Sequence, residues 1–375
     1  MARYGAWILL AVAALFTAAE IILAAPGEVK TLEIGETAPD FDLPGVDGRN
    51  YSLKDFASAE ILVLVFTCNH CPTAQAYEDR IKELATDYRD KGVALAAISP
   101  NDPKAVRLDE LGYTDLSDSF EEMKIRAKDR GFNFPYLYDG DLQKVSHAYG
   151  PTSTPNVFIF NKQRKLCYVG RVDDAEKIER VTSHDARNAI EALLAGKPVP
   201  VEKTKSFGCS IKWADKEGSV KKALERWAEE EVALELIDEA GIKALIKNDS
   251  EKLRLINIWA TWCGPCVTEF PELVAINRMY RNREFELITI SADSPDKKEQ
   301  ALSFLKKQQA SSRNYLFDSE DKYRLVEAVD KDWPGSIPHT LVVAPGGKII
   351  YRGQGPVDPL ELKKAIVGYL GRYYK

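Results

Sequence analysis

Two pairs of cysteines have the residue type and the spacing for redox chemistry. Both pairs have the form C-x-x-C, and they are Cys68 with Cys71 and Cys263 with Cys266. A thiolate in such a pair attacks a disulfide, and its neighbour then resolves the mixed disulfide that forms. A zinc ribbon needs a second C-x-x-C close behind the first, and none follows Cys266. The spacing therefore predicts thiol–disulfide exchange, with a purely structural disulfide as the alternative.

The second pair lies where a predicted strand meets a predicted helix. The apolar run from Ile256 to Trp259 precedes it, and Val267 to Met279 has a helical pattern. At a helix N-terminus, unpaired amide groups and the helix dipole favour a thiolate over a thiol. The sequence therefore predicts Cys263 as the attacking thiol and Cys266, one turn along the helix, as the resolving thiol.

The first pair occupies a similar junction and encloses a histidine. The apolar run from Ile61 to Phe66 precedes Cys68, and a helical pattern from Ala74 to Tyr88 follows Cys71. An imidazole at His70 would stabilise a thiolate at Cys68, so it would stabilise the reduced pair and make the disulfide a stronger oxidant. The second pair encloses only glycine and proline. We therefore expect two centres of different reduction potential, unless His70 only fills a surface turn.

Strands and helices alternate in both halves of the chain, which predicts an α/β fold. Both halves share one order, namely strand, C-x-x-C, helix and, later, a proline that opens a strand, at Pro155 and Pro338. Between the halves, Ser219 to Leu236 predicts a bridging helix. Further elements of the first half are predicted as strands at Val93 to Ile98, Tyr136 to Tyr138, Val157 to Phe160 and Leu166 to Val169, and helices at Phe120 to Arg130 and Ala189 to Leu194.

Length, charge and the N-terminus restrict the functional classes. A chain of 375 residues favours two to three domains, and a net charge of −6 without a basic cluster argues against nucleic-acid binding. Residues 1–25 have Arg3 ahead of an apolar run, followed by small residues, which predicts a signal peptide or, if it is not cleaved, a membrane anchor. Export would place the six cysteines where disulfides persist.

From about Leu234 to Tyr374 the chain resembles the TlpA/ResA-like exported thioredoxins. The resemblance rests on W-C-G-P-C, on N-I-W-A-T-W before it, on E-F-P after it and on Ile337-Pro338. It implies that Glu269 assists proton transfer at Cys266, although an acid in the first turn of a helix is also ordinary. Cytosolic thioredoxin carries a buried aspartate where this chain has Asn257.

Residues 32–213 resemble the peroxiredoxin-like redoxins, an AhpC/TSA-related group that carries C-N-H-C-P. The later stretches F-P-Y-L, G-R-V-D-D and G-C-S-I-K-W match as well. The form C-x-H-C is also similar to the active sites of oxidising proteins such as DsbA and protein disulfide isomerase.

Together the two resemblances imply tandem thioredoxin-like domains, each with a central mixed β-sheet flanked by helices. The expected division is a signal peptide or anchor at 1–25, a redoxin domain at 32–195, a connector with a helix at 196–230 and a thioredoxin domain at 231–375. In such folds the proline before the strand is cis and leaves the preceding main chain free to bind a substrate peptide. The implied substrate-binding residues are Thr154, Pro155, Trp262, Ile337 and Pro338.

Two further cysteines lie outside the pairs. Cys209, in the expected connector, is a candidate resolving thiol for the first centre, and pairing with Cys167 or a free thiol are the alternatives. Cys167 lies within a predicted strand, where a cysteine is usually a small core residue.

The leading functional prediction is an exported thiol–disulfide oxidoreductase that needs no cofactor or metal. Its expected partners are protein disulfides or dithiols and an unidentified thiol electron donor. A thiol peroxidase, with an antioxidant role, is the first alternative. However, peroxiredoxins carry P-x-x-x-T-x-x-C, and counting back from Cys71 those places hold Leu64 and Cys68.

A factor for metal or cytochrome maturation is the second alternative. Cys68, His70 and Cys71 offer ligands for a soft metal such as Cu(I). Haem attachment through C-x-x-C-H is not supported, because Pro72 and Val267 follow the two pairs.

Overall fold

The computed structural model describes residues 29–374. The predicted signal peptide at 1–25 lies outside the described residues. Within the described part of the chain, no helix is both long enough and apolar enough to cross a membrane.

A five-stranded sheet forms the first half, with strand order β5-β4-β3-β6-β7. Its central strand is buried along its whole length, as expected for an apolar strand with helices on both faces. The elements are β1 (Asp42–Pro44), β2 (Asn50–Ser52), β3 (Ile61–Phe66), α1 (Pro72–Tyr88), β4 (Val93–Ser99), α2 (Phe120–Arg130), β5 (Tyr136–Tyr138), α3 (Lys144–Tyr149), β6 (Asn156–Phe160), β7 (Leu166–Gly170) and α4 (Asp185–Leu194). Strand β3 pairs parallel to β4 and antiparallel to β6, so the sheet is mixed.

A six-stranded mixed sheet forms the second half, with strand order β13-β12-β9-β10-β11-β8. Its central strand β9 pairs parallel to β10 and antiparallel to β12, as β3 does with its neighbours. The elements from the connector onward are α5 (Glu217–Ala228), β8 (Glu235–Ile237), α6 (Glu239–Lys247), β9 (Leu253–Trp259), α7 (Gly264–Tyr280), β10 (Phe285–Ser291), α8 (Lys298–Lys307), β11 (Arg313–Phe317), α9 (Lys322–Val329), β12 (His339–Val343), β13 (Ile349–Gln354) and α10 (Pro359–Leu370).

The bridging helix predicted from Ser219 to Leu236 is wrong at its C-terminal end. Helix α5 stops at Ala228, and Leu236 lies in β8, which pairs parallel to β11. Main-chain hydrogen bonding to an open sheet edge outweighs helical periodicity here, because tertiary context overrides a weak local preference.

The two halves share an apolar interface. Val106 and Leu111 follow two short 3₁₀ turns of the first half and pack into the cluster formed by side chains of α7 and α10. Gly112 lies so close to α7 that an added Cβ would be 3.1 Å from the carbonyl oxygen of Met279. The hydroxyl of Tyr280 donates a hydrogen bond of 2.7 Å to the carbonyl oxygen of Thr114. The end of α7 is therefore fixed against the first half.

Candidate active sites

In the second half, β9 delivers the chain directly to α7, and Cys263 is the N-cap residue of that helix. The amide of Cys266 donates a hydrogen bond of 3.2 Å to Cys263 Sγ. The two cysteines form a disulfide. Cys263 keeps 6% of its surface exposed, whereas Cys266 is fully buried. Cys263 is therefore the outer sulfur of the pair and Cys266 the inner one.

Glu269 lies in the same helix and points into the domain. Its carboxylate accepts hydrogen bonds of 3.0 Å from the side-chain amide of Asn257 and from the main-chain N–H of Val357. Burial raises the pKa of Glu269, and these two hydrogen bonds offset only part of the rise. A carboxyl with a raised pKa can exchange a proton nearer to neutral pH than an exposed glutamate can.

The predicted substrate-binding residues of the second half surround the disulfide. The bond between Ile337 and Pro338 is cis, and Cys263 Sγ lies 3.7 Å from the carbonyl oxygen of Ile337. Within the described part of the chain, the main chain of Ile337 makes no hydrogen bond to another main-chain group. Trp262, beside the disulfide, is 69% exposed. An apolar ring and an unpaired main chain next to a disulfide sulfur form a surface suited to an extended peptide.

The first centre differs from the second in how the cysteines meet the helix. Helix α1 begins at Pro72, and its N-cap residue is Cys71, the second cysteine of the pair, whose Sγ accepts a hydrogen bond of 3.4 Å from the amide of Ala74. In the second centre the first cysteine of the pair has that position. Cys68 lies before the helix and is 3.2 Å from the hydroxyl of Thr154. The stabilising helix terminus therefore acts on Cys71 rather than on Cys68.

The pKa values of Cys68 and Cys71 are shifted in opposite directions, as this geometry leads us to expect. Burial alone would raise the pKa of Cys71, but hydrogen bonds from Cys209 and Cys68 and the charge of His70 hold it well below its usual range. Burial raises the pKa of Cys68 well above its usual range, and the neighbouring Cys71 adds to the rise. The sequence prediction gave the low pKa to Cys68, whereas the structure gives it to Cys71.

His70 is buried and is held by an aspartate that the sequence analysis did not identify. Its Nδ1 lies 2.5 Å from Oδ2 of Asp118, and its main-chain N–H donates to Oδ1 of the same carboxylate at 3.1 Å. The side-chain amide of Asn101 also donates to Asp118, at 2.7 Å. Burial would lower the pKa of His70, but the charge and hydrogen bond of Asp118 outweigh it and raise the pKa. The alternative of a histidine in a surface turn is therefore wrong.

The main chain beside Pro155 is already hydrogen-bonded to another segment of the protein, the segment around Cys209. The bond between Thr154 and Pro155 is cis, and the amide of Thr154 donates a hydrogen bond of 2.9 Å to the carbonyl oxygen of Cys209. The amide of Cys209 in turn donates to Cys71 Sγ at 3.3 Å. Gly208 is required here, because an added Cβ would clash with the carbonyl of Thr154. The segment around Cys209 therefore fills the place that is open beside Ile337.

Cys167 and Cys209 are not paired with each other, and the candidate metal ligands of the first centre are already engaged. Cys167 is a half-buried free thiol in β7 and packs against the core of the first domain. Cys209 is also a free thiol and packs against Cys68 and Cys71. The ligand atoms of Cys68, His70 and Asp118 lie within 4.8 Å of one another, but the histidine and the aspartate already bind each other.

Two family models match the chain, one in each half. Residues 34–169 match the AhpC/TSA family and residues 232–366 match Redoxin. Among curated proteins, thiol-disulfide oxidoreductase ResA of Geobacillus thermodenitrificans is 27% identical over 37% of this chain and 70% of its own length. The thiol:disulfide interchange protein HelX of Rhodobacter capsulatus is 31% identical over 31% of this chain, which spans only 59% of HelX.

A solved structure of an uncharacterized conserved protein from Geobacillus kaustophilus is 40% identical to this chain. It covers 48% of this chain and 92% of its own length, with a TM-score of 0.43.

The sheets, the cysteine pairs and these matches define a thioredoxin-fold oxidoreductase with two domains in tandem. The chain combines an AhpC/TSA domain with a Redoxin domain, and the predictions of fold class and of family resemblance are confirmed.

Proposed function

We propose that this chain is an exported thiol–disulfide oxidoreductase with two centres, Cys263 with Cys266 and Cys68 with Cys71, and that the second centre acts on protein disulfides or dithiols. The observation that carries the proposal is the position of Cys263. It caps a helix, is the outer sulfur of its pair and adjoins the open main chain of Ile337. An unidentified thiol donor or acceptor would complete the cycle outside the cell.

In the reducing direction, the thiolate of Cys263 attacks one sulfur of a substrate disulfide and expels the other sulfur as a thiolate. The thiolate of Cys266 then attacks Cys263 Sγ and breaks the mixed disulfide. The second substrate thiolate leaves, so two electrons pass to the substrate and the disulfide between Cys263 and Cys266 forms. Protons from the two cysteine thiols end on the substrate. The reverse sequence oxidises a substrate dithiol.

The overall proposal is tested by catalysed reduction of a protein disulfide, with a small dithiol as the electron source. We expect the full chain to accelerate this reaction over the dithiol alone. Equal rates with and without the chain would contradict the proposal.

Replacement of Glu269 with Gln is expected to slow exchange at the second centre by about 10²-fold, the low end for loss of a positioned proton-transfer group. Gln retains the size of the side chain but cannot accept or release the proton. Because burial raises the pKa of Glu269, the wild-type rate should show an inflection above the usual glutamate range that the variant lacks. The measurement is the pH profile of substrate release.

Glu272→Gln is the matched control, since Glu272 lies on the same helix but is more exposed than Glu269, and among the described residues its ion pair is with Lys363, at 3.6 Å. A wild-type pH profile for Glu269→Gln would leave Glu269 with a structural role only.

In the first centre we propose Cys71 as the nucleophile. Its low pKa and its position at the N-cap of α1 support this choice over Cys68. Cys68 and Cys209 flank it. Cys68 is its partner in the C-x-x-C pair, and Cys209 is a second proposed resolving thiol, because its main-chain N–H donates to Cys71 Sγ.

The main chain of Thr154 is already paired with Cys209, so it is not open to an extended peptide. This supports a second candidate function for the first centre, the reduction of a small hydroperoxide. The thiolate of Cys71 would attack the O–O bond, forming a sulfenic acid at Cys71 and releasing an alkoxide that takes a proton. Cys209 would then condense with the sulfenic acid, forming a disulfide and releasing water. A peroxide consumption assay with a dithiol donor separates this activity from disulfide exchange.

Replacement of Asp118 with Asn is expected to make the first centre more reducing. The carboxylate raises the pKa of His70, and charged His70 lowers the pKa of Cys71. Loss of that charge destabilises the thiolate and therefore the reduced form, by about 30 mV for each unit by which the pKa of Cys71 rises. The potential is measured by titration against glutathione buffers, with Cys263 and Cys266 both replaced by Ser.

Asn retains an acceptor for the main-chain N–H of His70, so the variant removes the charge and keeps that hydrogen bond. Asp90→Asn, on the exposed surface, is the control. An unchanged or higher potential in Asp118→Asn would show that His70 does not stabilise the thiolate.

A further inference from the structure

One loop of the first domain, residues 113–118, connects the interface between the domains to the first thiol centre. At its start, the carbonyl of Thr114 accepts the hydrogen bond from Tyr280 of α7. At its end, Ser117 and Asp118 bind the side chain of Asn69 and the ring of His70, inside the cysteine pair. A displacement of the second domain therefore acts on residues that hold the cysteine loop.

The C-terminal segment 371–374 of the second domain lies along this loop. Arg372 makes a two-pronged ion pair with Asp115, with nitrogen–oxygen distances of 2.6 and 2.9 Å. The Asp115 side chain is almost fully buried. Forked pairs of this kind fix orientation as well as distance. Arg283 donates to the carbonyls of Gly112, at 2.6 Å, and Gly371, at 3.1 Å, so it ties the C-terminal segment to the beginning of the loop.

A second connection runs through Gln75 of α1. Its Oε1 lies 3.4 Å from Arg372 Nη1, and its Nε2 donates to the carbonyls of Tyr113, at 3.2 Å, and His70, at 3.4 Å. Arg372 is therefore linked both to the loop and to the cysteine pair.

Tyr374 packs against the start of the loop that leads to the thiols. Its ring packs against Tyr113, with ring centroids 4.9 Å apart. Burial and the nearby thiols raise the pKa of Tyr374, and a hydrogen bond to Cys209 contributes to the rise. Through its packing on Tyr113, Tyr374 brings a side chain of the second domain to the neighbourhood of Cys209.

We propose that the first thiol centre is a composite of both domains, in which Tyr374 covers Cys209 and Arg372 positions the loop that holds His70. This deepens the proposed function of the first centre. The second domain then has two roles. Its own cysteines carry out exchange at one end of α7, and its C-terminal segment controls access to the thiols of the first domain at the interface.

The test is the alkylation of individual cysteines in the reduced full chain, followed by peptide mass spectrometry over a range of pH. Tyr374→Ala is expected to speed alkylation of Cys209 about tenfold, the factor that corresponds to ~1.4 kcal/mol. The increase should be larger for a bulky maleimide than for iodoacetamide, because the variant removes a cover. Tyr374→Phe retains the ring and should keep the maleimide rate close to wild type.

Arg372→Ala is expected to move the pH midpoint for alkylation of Cys71 upward. Loss of the ion pair loosens the support of His70 by Asp118 and leaves Asp115 with only the more distant Arg126, 3.9 Å away, and both effects disfavour a nearby thiolate. A purely structural contact would lower thermal stability without moving this midpoint. Tyr373→Ala, half exposed and between the two residues, is the matched control.

Wild-type rates at Cys209 in Tyr374→Ala, together with an unchanged midpoint in Arg372→Ala, would overturn the proposal. If Arg372→Ala fails to fold, the reagent-size comparison between Tyr374→Ala and Tyr374→Phe still decides it. The alkylation measurement uses no disulfide substrate. If the proposed exchange activity is not found, this test of the composite first centre can still be made.

Discussion

Cys266→Ser is expected to capture client proteins as stable mixed disulfides. Cys263→Ser is expected to slow exchange at the second centre by about 10³-fold or more. The reason is the geometry of the pair. Cys263 caps α7 and retains some exposure, so it meets the substrate, while Cys266 is fully buried and reaches only Cys263. Without Cys266, nothing in the centre breaks the mixed disulfide.

The measurement is non-reducing electrophoresis of the variants after incubation with an oxidised protein substrate, with the conjugates identified by mass spectrometry. Cys167→Ser controls for the loss of a thiol elsewhere, since Cys167 lies in β7, away from both pairs. Capture by Cys263→Ser in place of Cys266→Ser would reverse the roles of the two cysteines.

Much of the second centre was predictable because its signals are local. The apolar run of β9, the W-C-G-P-C turn and the helical pattern of α7 are contiguous, and together they place Cys263 at a helix N-terminus. Strand β3 and helix α2 were likewise predicted at their observed bounds. Contiguous patterns of this kind depend little on distant parts of the chain.

The first centre was less predictable because it depends on contacts between distant residues. Asp118 binds His70 from far along the sequence, in a segment without periodic pattern, and no local signal identifies it. The same holds for Cys209, whose contact with Cys71 depends on Gly208 and on the path of the connector. The helix start at Pro72 does carry a signal, since proline favours the first turn of a helix.

That proline signal places Cys71, rather than Cys68, at the helix N-terminus. The prediction from sequence was instead that both centres repeat one plan. The two pairs do have equal spacing, but α1 and α7 begin at different positions relative to their cysteines.

Cys71→Ser is expected to eliminate the fast-reacting thiol of the first centre, whereas Cys68→Ser should retain it. At pH 6 an unperturbed cysteine, with a pKa of about 8.5, is less than about 1% thiolate. The pKa of Cys71 lies well below the usual range, so this residue should be alkylated first in the reduced chain at that pH. Peptide mass spectrometry after brief treatment with iodoacetamide, with Cys263 and Cys266 replaced by Ser, gives the order of reaction.

The companion variant Cys209→Ala shows whether Cys71 is alkylated quickly because its pKa is low or only because the reagent can reach it. After burial, which acts in the opposite direction, the hydrogen bond from Cys209 is the strongest influence on the pKa of Cys71, and it lowers the pKa. Removal of this donor should therefore shift the pH midpoint of Cys71 alkylation upward, while a gain in access alone would raise the rate at every pH. If Cys68 is labelled first at pH 6, or if Cys209→Ala leaves the midpoint in place, Cys71 is not the nucleophile that the helix terminus and its neighbouring thiol activate.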